Sequence, residues 1–350
     1  MLRSKLLFTV LSLSMLLTAC QSTHMPSHEK TVSSLVQNNN QWHLAIPLTN
    51  LYDYQLIDVR SGQPKTVDLA KGVGGLSDYD VIFIGENHRH PGNHLAQANI
   101  YQALLKANPK IILSLEQFER DTQTYLNAYL NDEIGEWSLR HFGRAWDNYQ
   151  SSYRPLVEMA KTHGLPVIAA NAPKDTVVCT GRHGLEILDN LPEKRKHQVA
   201  QSFYTPTEGA YFNKFTANMG HSQETIKPST LNRYFAQVVR DDTMAESIHN
   251  ALENHPNHKL VHLNGHFHSA SHLGTVERVM LRKKRKVAVI QPILVDNPSA
   301  PSFSVDDLNK GDYLLLIHPL PEQVKTKENR RIWMQTVFKR SEQDCTFGTK

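Results

Sequence analysis

Along the chain, short uninterrupted apolar runs alternate with longer stretches in which apolar residues recur every three or four positions. Apolar runs without polar alternation suit strands buried on both faces, and the helical-period stretches between them suit crossover helices. The strands so predicted are Val81–Ile84, Ile111–Leu115, Val167–Ala170, Leu260–Leu263 and Val287–Ile290, with Leu314–Ile317 as a sixth. Helices are predicted over Leu95–Ala107, Tyr153–His163 and Leu231–Asn254. The expected fold class is α/β: a largely parallel sheet flanked by helices, with a smaller, mostly helical subdomain. The stretch from Arg120 to Tyr149, which carries Trp137, Phe142, Trp146 and Tyr149, either caps the sheet or belongs to that subdomain. From Ser202 to Pro228 the period is lost while Phe203, Tyr204, Tyr211, Phe212 and Phe215 gather, followed by Met219 and His221. Such a segment is an insertion with its own purpose or a satellite core. No internal repeat is visible.

The N-terminus departs from this pattern. Arg3 and Lys5 precede an apolar run from Leu6 to Leu17, which ends in Leu17-Thr18-Ala19-Cys20. That run is too short for a spanning helix and has the order of a secretory signal peptide. Its end resembles the bacterial lipobox, which implies lipidation of Cys20 and anchoring by several acyl chains. Gln21, where Asp commonly marks retention in the inner membrane, resembles the outer-membrane default, so the expected location is the cell outer membrane, lipid-anchored. Residues 21–41 are polar and read as a tether, and residues 42–350 as the folded domain, about 310 residues, enough for one large α/β domain.

Besides Cys20 the chain holds only Cys179 and Cys345, without a C-x-x-C pair, so a thiolate zinc site is not expected. Their pairing is open from sequence, because separation along the chain says nothing of distance in space. The net charge of +4 is modest, and the basic run Arg282-Lys283-Lys284-Arg285-Lys286 lacks interleaved aromatics. Nucleic acid is therefore not an expected partner.

Chemistry gathers at three strand ends. Gly85-Glu86-Asn87-His88 follows the first strand, Glu116 follows Leu115, and Asn264-Gly265-His266-Phe267-His268 follows Leu263. Loops at the carboxyl ends of parallel strands are where α/β proteins build sites. Imidazole with carboxylate forms a borderline metal set, here His88, Glu116 and His266, or a general base with its orienting partner. A single loop histidine more often caps a helix or sits in water, and with 19 histidines some must do so. Four groups, Glu86, His88, Glu116 and His266, converging from three strand ends are a stronger signal than any one of them.

Six motifs in order, Val-Ile-Phe-Ile-Gly-Glu-Asn-His, Leu-Ser-Leu-Glu-Gln-Phe-Glu-Arg, Tyr153-Arg154-Pro155-Leu156-Val157-Glu158, Asn171-Ala172-Pro173, Asp242-Thr243-Met244-Ala245 and Asn264-Gly265-His266, resemble the ChaN family of iron-regulated haem-binding lipoproteins over roughly residues 75–295. That family is similar in fold to the wider group of Tiki metalloproteases and erythromycin esterases. The resemblance to this group implies that His88, Glu116 and His266 match a metal or general-base site. The resemblance to ChaN implies non-covalent haem binding for iron acquisition, at a dimer interface with two cofacial haems, tyrosine ligation from one subunit and a histidine contact from the other. A haem receptor of the outer membrane is an expected partner on the same ground.

The aromatic segment fits such a ligand. A flat apolar macrocycle packs against aromatic and Met side chains, and ferric iron accepts a phenolate. Tyr204 and Tyr211 are the candidate ligands, His221 a donor to the phenolate oxygen, and Lys214 a partner for propionates. Attachment is not covalent, since no Cys-x-x-Cys-His is present. Equally, these aromatics can close a small core over the sheet, and Tyr153 is a rival that reads more as structural. A hydrolase, esterase or peptidase, using His88, Glu86, Glu116 and His266 is the alternative from a different class.

Overall fold

The structure, a computed structural model, describes residues 35–220, 226–339 and 344–347. The leader, Cys20, the tether as far as residue 34, and His221 lie outside the described residues.

In chain order the elements are β1 (Leu35–Asn38), β2 (Gln41–Leu44), β3 (Tyr54–Asp58), β4 (Lys65–Val67), β5 (Val81–Glu86), α1 (Pro91–Ala107), β6 (Ile111–Glu119), α2 (Gln123–Leu130), α3 (Glu136–Phe142), α4 (Tyr149–Ser152), α5 (Arg154–Thr162), β7 (Val167–Asn171), α6 (Lys174–His183), α7 (Glu193–Lys196), α8 (Ala210–Asn218), α9 (Pro228–Asn254), β8 (Lys259–Gly265), α10 (Thr275–Arg282), β9 (Val287–Leu294), β10 (Ser302–Ser304), β11 (Tyr313–Ile317) and α11 (Lys327–Lys339). Eight strands form one sheet in the order β4-β3-β11-β9-β5-β8-β6-β7. From β11 to β7 every pairing is parallel, and β3 and β4 extend the sheet antiparallel at one edge. All six strands expected from the apolar runs are the parallel ones. Those runs are long enough to be buried on both faces, and β5 is buried at all of its positions.

Helices cover both faces. On one, α1, α2, α3 and α5 bury Ile100, Leu104, Leu126, Leu139, Leu156 and Val157 against strand residues such as Ile82, Ile84, Leu113 and Leu263. On the other, α9 and α10 bury Ile248, Leu252, Val276 and Val279 against Val81, Phe83 and Val289. The aromatic stretch before Tyr149 thus caps the sheet, sharing the core of α1. The segment from 202 onward builds a satellite core in which Tyr211, Phe212 and Phe215 of α8 meet Tyr234 and Val238 of α9.

A second, three-stranded sheet, β1-β2-β10, lies over a core of Trp42, Leu44, Phe303 and Leu316. Its first strand and the turn after it fall within the expected tether, and its second strand crosses into the expected domain. Asn38 pairs with Gln41 across a two-residue turn, and Asn39 and Asn40 take φ of 46° and 60°. That is the left-handed geometry of a tight hairpin, which Asn tolerates. Cys179 of α6 is disulfide-bonded to Cys345, with the Cα atoms 5.5 Å apart. Among the described residues no helix is long and apolar enough to cross a membrane.

Candidate functional site at the carboxyl ends of three strands

The chain leaves β5 through α1 to reach β6, then returns to place β8 between the two. The carboxyl ends of β5, β8 and β6 are therefore neighbours at the point where the strand order reverses. Glu86 ends β5, Gly265 ends β8, and Glu116 lies in β6. The loop after β5 turns sharply at Arg89, whose φ is 67°, and enters α1 through Pro91 at its first turn.

Glu86 is fully buried. Its Oε1 accepts from His88 Nδ1 at 2.7 Å and from the Tyr153 hydroxyl at 2.7 Å, and its Oε2 accepts from Gln97 Nε2 at 2.9 Å. Burial alone would raise its pKa, yet the bonds and charges of His88, His94 and Tyr153 outweigh it and hold the carboxylate below its ordinary value. His88 answers in kind. Desolvation would lower its pKa, but Glu86 and the Glu116 charge raise it. Its side chain is half-exposed and stands edge-on to Trp146, with ring centroids 5.1 Å apart. The result is an imidazole aimed by a buried carboxylate that favours its protonated form, with nearly half of the side chain open to solvent.

Gly265 makes the close approach possible. A Cβ there would lie 2.8 Å from His88 Nε2 and 3.6 Å from Glu116 Oε2, so the imidazole and the second carboxylate both rest over bare backbone. Glu116 Oε2 accepts the Gly265 N–H at 2.6 Å, while its Oε1 faces His268 Nε2 at 3.7 Å. His268 Nδ1 is 2.7 Å from Asp241 Oδ1, which also accepts from Thr275 Oγ1 at 2.7 Å. The hydroxyl of Tyr211 donates to the other oxygen of Asp241. Burial would lower the His268 pKa, but Asp241 and Glu116 raise it. A continuous polar path thus runs from the satellite core, through Tyr211, Asp241, His268 and Glu116, to the backbone beneath His88.

His266 sits at the start of the loop after β8, with Gln291 Nε2 3.3 Å from its Nδ1. Burial, reinforced by the positive Lys214 and His88, lowers its pKa to about 4. His88 and His266 are therefore pushed in opposite directions, one toward holding a proton and the other toward being bare. Among the described residues no group of three or more His, Cys, Asp or Glu is placed to hold a metal ion. The expected metal set of His88, Glu116 and His266 is thus not assembled as a cage. Glu116 turns inward to the Gly265 N–H and His268, and His266 turns to Gln291.

The two candidate haem-ligating tyrosines differ. Tyr204 is 42% exposed, its N–H donates to Asp242 Oδ2 at 2.9 Å, and the Arg278 guanidinium lies 5.6 Å from its ring centre. Tyr211 is buried, and desolvation together with the Asp241 charge drives its pKa well above that of a free phenol. Lys214 donates to the Phe267 and Ala270 carbonyls at 2.8 and 3.0 Å, engaging two of its three N–H groups, and burial lowers its pKa to about 8. An accessible phenol suits ferric iron, but the Arg278 guanidinium beside it is wholly buried and engaged by Asp242 and the Gly274 and Tyr204 carbonyls, so it does not face a propionate. Tyr153, buried and bonded to Glu86, is part of the strand-end site instead.

Sequence reasoning gave no role to Asp241, His268, His94 or Gln97. His268 stands within the quoted Asn-Gly-His-Phe-His motif, and Asp241 directly precedes the Asp-Thr-Met-Ala motif. His94 and Gln97, three residues apart in the first two turns of α1, share one helical face, a spacing that more often marks packing.

A model of the haem-binding uptake family of the Tiki superfamily, ChaN type, matches residues 73–279, more than half of the chain. No curated protein matches. Among solved structures, ChaN of Campylobacter jejuni with cofacially bound haem is similar over 78% of this chain and 100% of its own, at 17% identity and a TM-score of 0.56. That likeness is one of fold. An erythromycin esterase mutant in its open conformation shares 12% identity over 72% of this chain and 83% of its own, with a TM-score of 0.39. A succinoglycan biosynthesis protein shares 12% identity over 71% and 89%, with a TM-score of 0.43.

Proposed function

Because the chain belongs to the ChaN-type haem-binding uptake family of the Tiki superfamily, we propose that it binds haem non-covalently and serves iron acquisition as a lipoprotein held on the outer membrane through Cys20. Family membership is the observation that carries this reading. Tyr204 is the ligand we assign, because its ring stands at the surface whereas the Tyr211 hydroxyl is engaged by a buried carboxylate. Haem, once bound, would supply the iron to be carried; the protein's part is the Tyr204 phenolate oxygen. Dimerisation on haem binding belongs to the same proposal, as does delivery from or to an outer-membrane receptor.

Haemin titration of the full-length chain in detergent, followed by absorption and light scattering, tests it. Saturation near one haem per chain with a doubling of mass is expected, as is a Soret band that Tyr204→Phe alters. Absence of binding in either oxidation state would overturn it. The anchor has its own test: labelled palmitate should enter the wild-type chain and not Cys20→Ala, which should leave the membrane fraction.

A second reading rests on the half-exposed His88 held at 2.7 Å by the buried Glu86 carboxylate, with His266 at the end of the neighbouring strand, and on the opposite directions in which the two imidazoles are pushed. Paired groups pushed apart in this way are how acid and base roles are divided in hydrolases. Under this reading water attacks an ester or peptide carbonyl with His266 as base and His88 as acid. Turnover that disappears in His88→Ala would support it, and no turnover across ester and peptide substrates would remove it.

A further inference from the structure

The helix α11 stands apart from the cores described above. It forms from its own sequence: the Thr326 hydroxyl accepts the Asn329 N–H at 3.1 Å as a cap, and Glu328 in the first turn pairs with Arg331 at 2.9 Å. Yet residues 327–336 are all exposed, among them three consecutive apolar side chains, Ile332 at 47%, Trp333 at 46% and Met334 at 38%. Among the described residues none of the three joins a core cluster. A helix of 13 residues is marginal in water without tertiary packing, so an apolar stripe left bare on it calls for a partner.

Charge says which partner. From Lys325 to Lys339 the sequence carries five basic residues, Lys325, Lys327, Arg330, Arg331 and Lys339, against the single acid Glu328. Positions 327, 330, 331 and 334 follow one helical stripe, and 333, 337 and 338 continue it. That stripe is cationic over its first half and apolar, with a tryptophan, over its second. Anionic lipid matches both halves, with phosphates for the cations and the acyl boundary for the indole. The helix is also held at both ends, since β11 ends at Ile317 before it and Cys345 after it is disulfide-bonded to Cys179 of α6. Residues 21–34, between Cys20 and β1, span at most about 50 Å, comparable with the width of a domain of this size, so an anchored chain can bring α11 to the bilayer.

We propose that α11 lies in the headgroup layer of an anionic bilayer, with Lys327, Arg330 and Arg331 on phospholipid phosphates and Trp333 and Met334 at the acyl boundary. Its location rests on the Cys20 anchor proposed above; its surface chemistry does not.

The test reconstitutes the full-length chain into vesicles of phosphatidylethanolamine and phosphatidylglycerol with brominated acyl chains, and into brominated phosphatidylcholine for comparison. Flotation and palmitate labelling report the anchor, and quenching of tryptophan fluorescence by bromine reports α11. Quenching is expected in the anionic vesicles, and Trp333→Phe should remove most of it, an exposed substitution that leaves the core untouched. Lys327→Gln with Arg330→Gln should cut the Trp333-dependent part at least about twofold, as should high salt, because each basic residue at an anionic surface favours partition by about fivefold. A chain that floats without Trp333-dependent quenching overturns the proposal and leaves the anchor standing. A chain that takes up no palmitate yet shows that quenching overturns the anchor and leaves α11 in place, and absence of both removes both. Equal quenching in phosphatidylcholine would overturn the anionic assignment. A haem-free dimer in detergent that Trp333→Glu converts to monomer would overturn the proposal by giving the stripe to a second copy of the chain.

Discussion

His88 owes its position to a missing methyl group. A Cβ at residue 265 would fall 2.8 Å from its Nε2 and 2.9 Å from its Cε1, too close for either to stay. Gly265→Ala should therefore turn the imidazole off Glu86 and cost about 1–3 kcal/mol of stability by overpacking. The matching signature is a His88 NMR titration midpoint that falls toward the ordinary histidine value, since its raised pKa depends on Glu86 and Glu116. Tyr211→Phe should cost about 1.5–3 kcal/mol in urea unfolding, because it removes a hydrogen bond to the buried Asp241 charge. His262 is wholly buried between Phe83 and Ser114, and burial lowers its pKa from 6.5 to about 3. The unfolded chain takes up this proton below pH 6.5 and the folded chain does not. Its contribution is thus present above pH 6.5 and is lost as pH falls toward 3, by about 2 kcal/mol at pH 5. Urea unfolding across that window should show the slope, and His262→Leu should flatten it.

Among strands and helices, α6 is tied to the C-terminal segment by Cys179–Cys345, closing a loop across a separation of 166 residues. Cross-linking a loop that long constrains the unfolded chain strongly, so Cys345→Ser should lose about 2–5 kcal/mol relative to the oxidised wild type. Reduction of the wild type should produce the same loss, and unfolding curves that do not respond to reductant would contradict it. The N-terminal hairpin shows how local chemistry was misjudged. Leu-Val-Gln-Asn-Asn-Asn-Gln-Trp reads as polar tether by composition, but Asn39-Asn40 between Val36 and Trp42 is a hairpin turn signal, and Trp42 anchors the ribbon in the core beneath it.

Across the molecule, the strand-end dyad leans on the α1–α5 layer, through Tyr153 and Trp146, while Tyr204 lies on the α9–α10 layer against Asp242 and Arg278. Haem uptake and dyad chemistry should therefore respond to separate substitutions. Tyr204→Phe is expected to change the Soret spectrum and His88→Ala to leave it unchanged, with the double variant showing the sum of the two. Among the described residues, a buried polar route from Tyr211 through Asp241 and His268 to Glu116 joins the satellite core to the strand-end site.

The parallel strands were readable from the chain because a strand buried on both faces must be apolar along its whole length, and the apolar runs at residues 81, 111, 167, 260, 287 and 314 have no other use. The three motif-bearing strand ends followed, since a polar residue directly after such a run stands at a loop. Strand order was not readable. Only packing put β8 between β5 and β6, and with it Gly265 under His88 and beside Glu116. The direction each side chain faces was decided in the same way. Glu116 and His266 have the composition of metal ligands, but tertiary contacts engage them with the Gly265 N–H and Gln291. Tyr204 and Tyr211 are equivalent phenols in the sequence, and one is exposed while the other is buried against Asp241, because α9 brings its carboxylate under only one of them. Local pattern fixes which elements form, through periodicity and burial; which distant residues meet depends on crossovers whose energetics no local window contains.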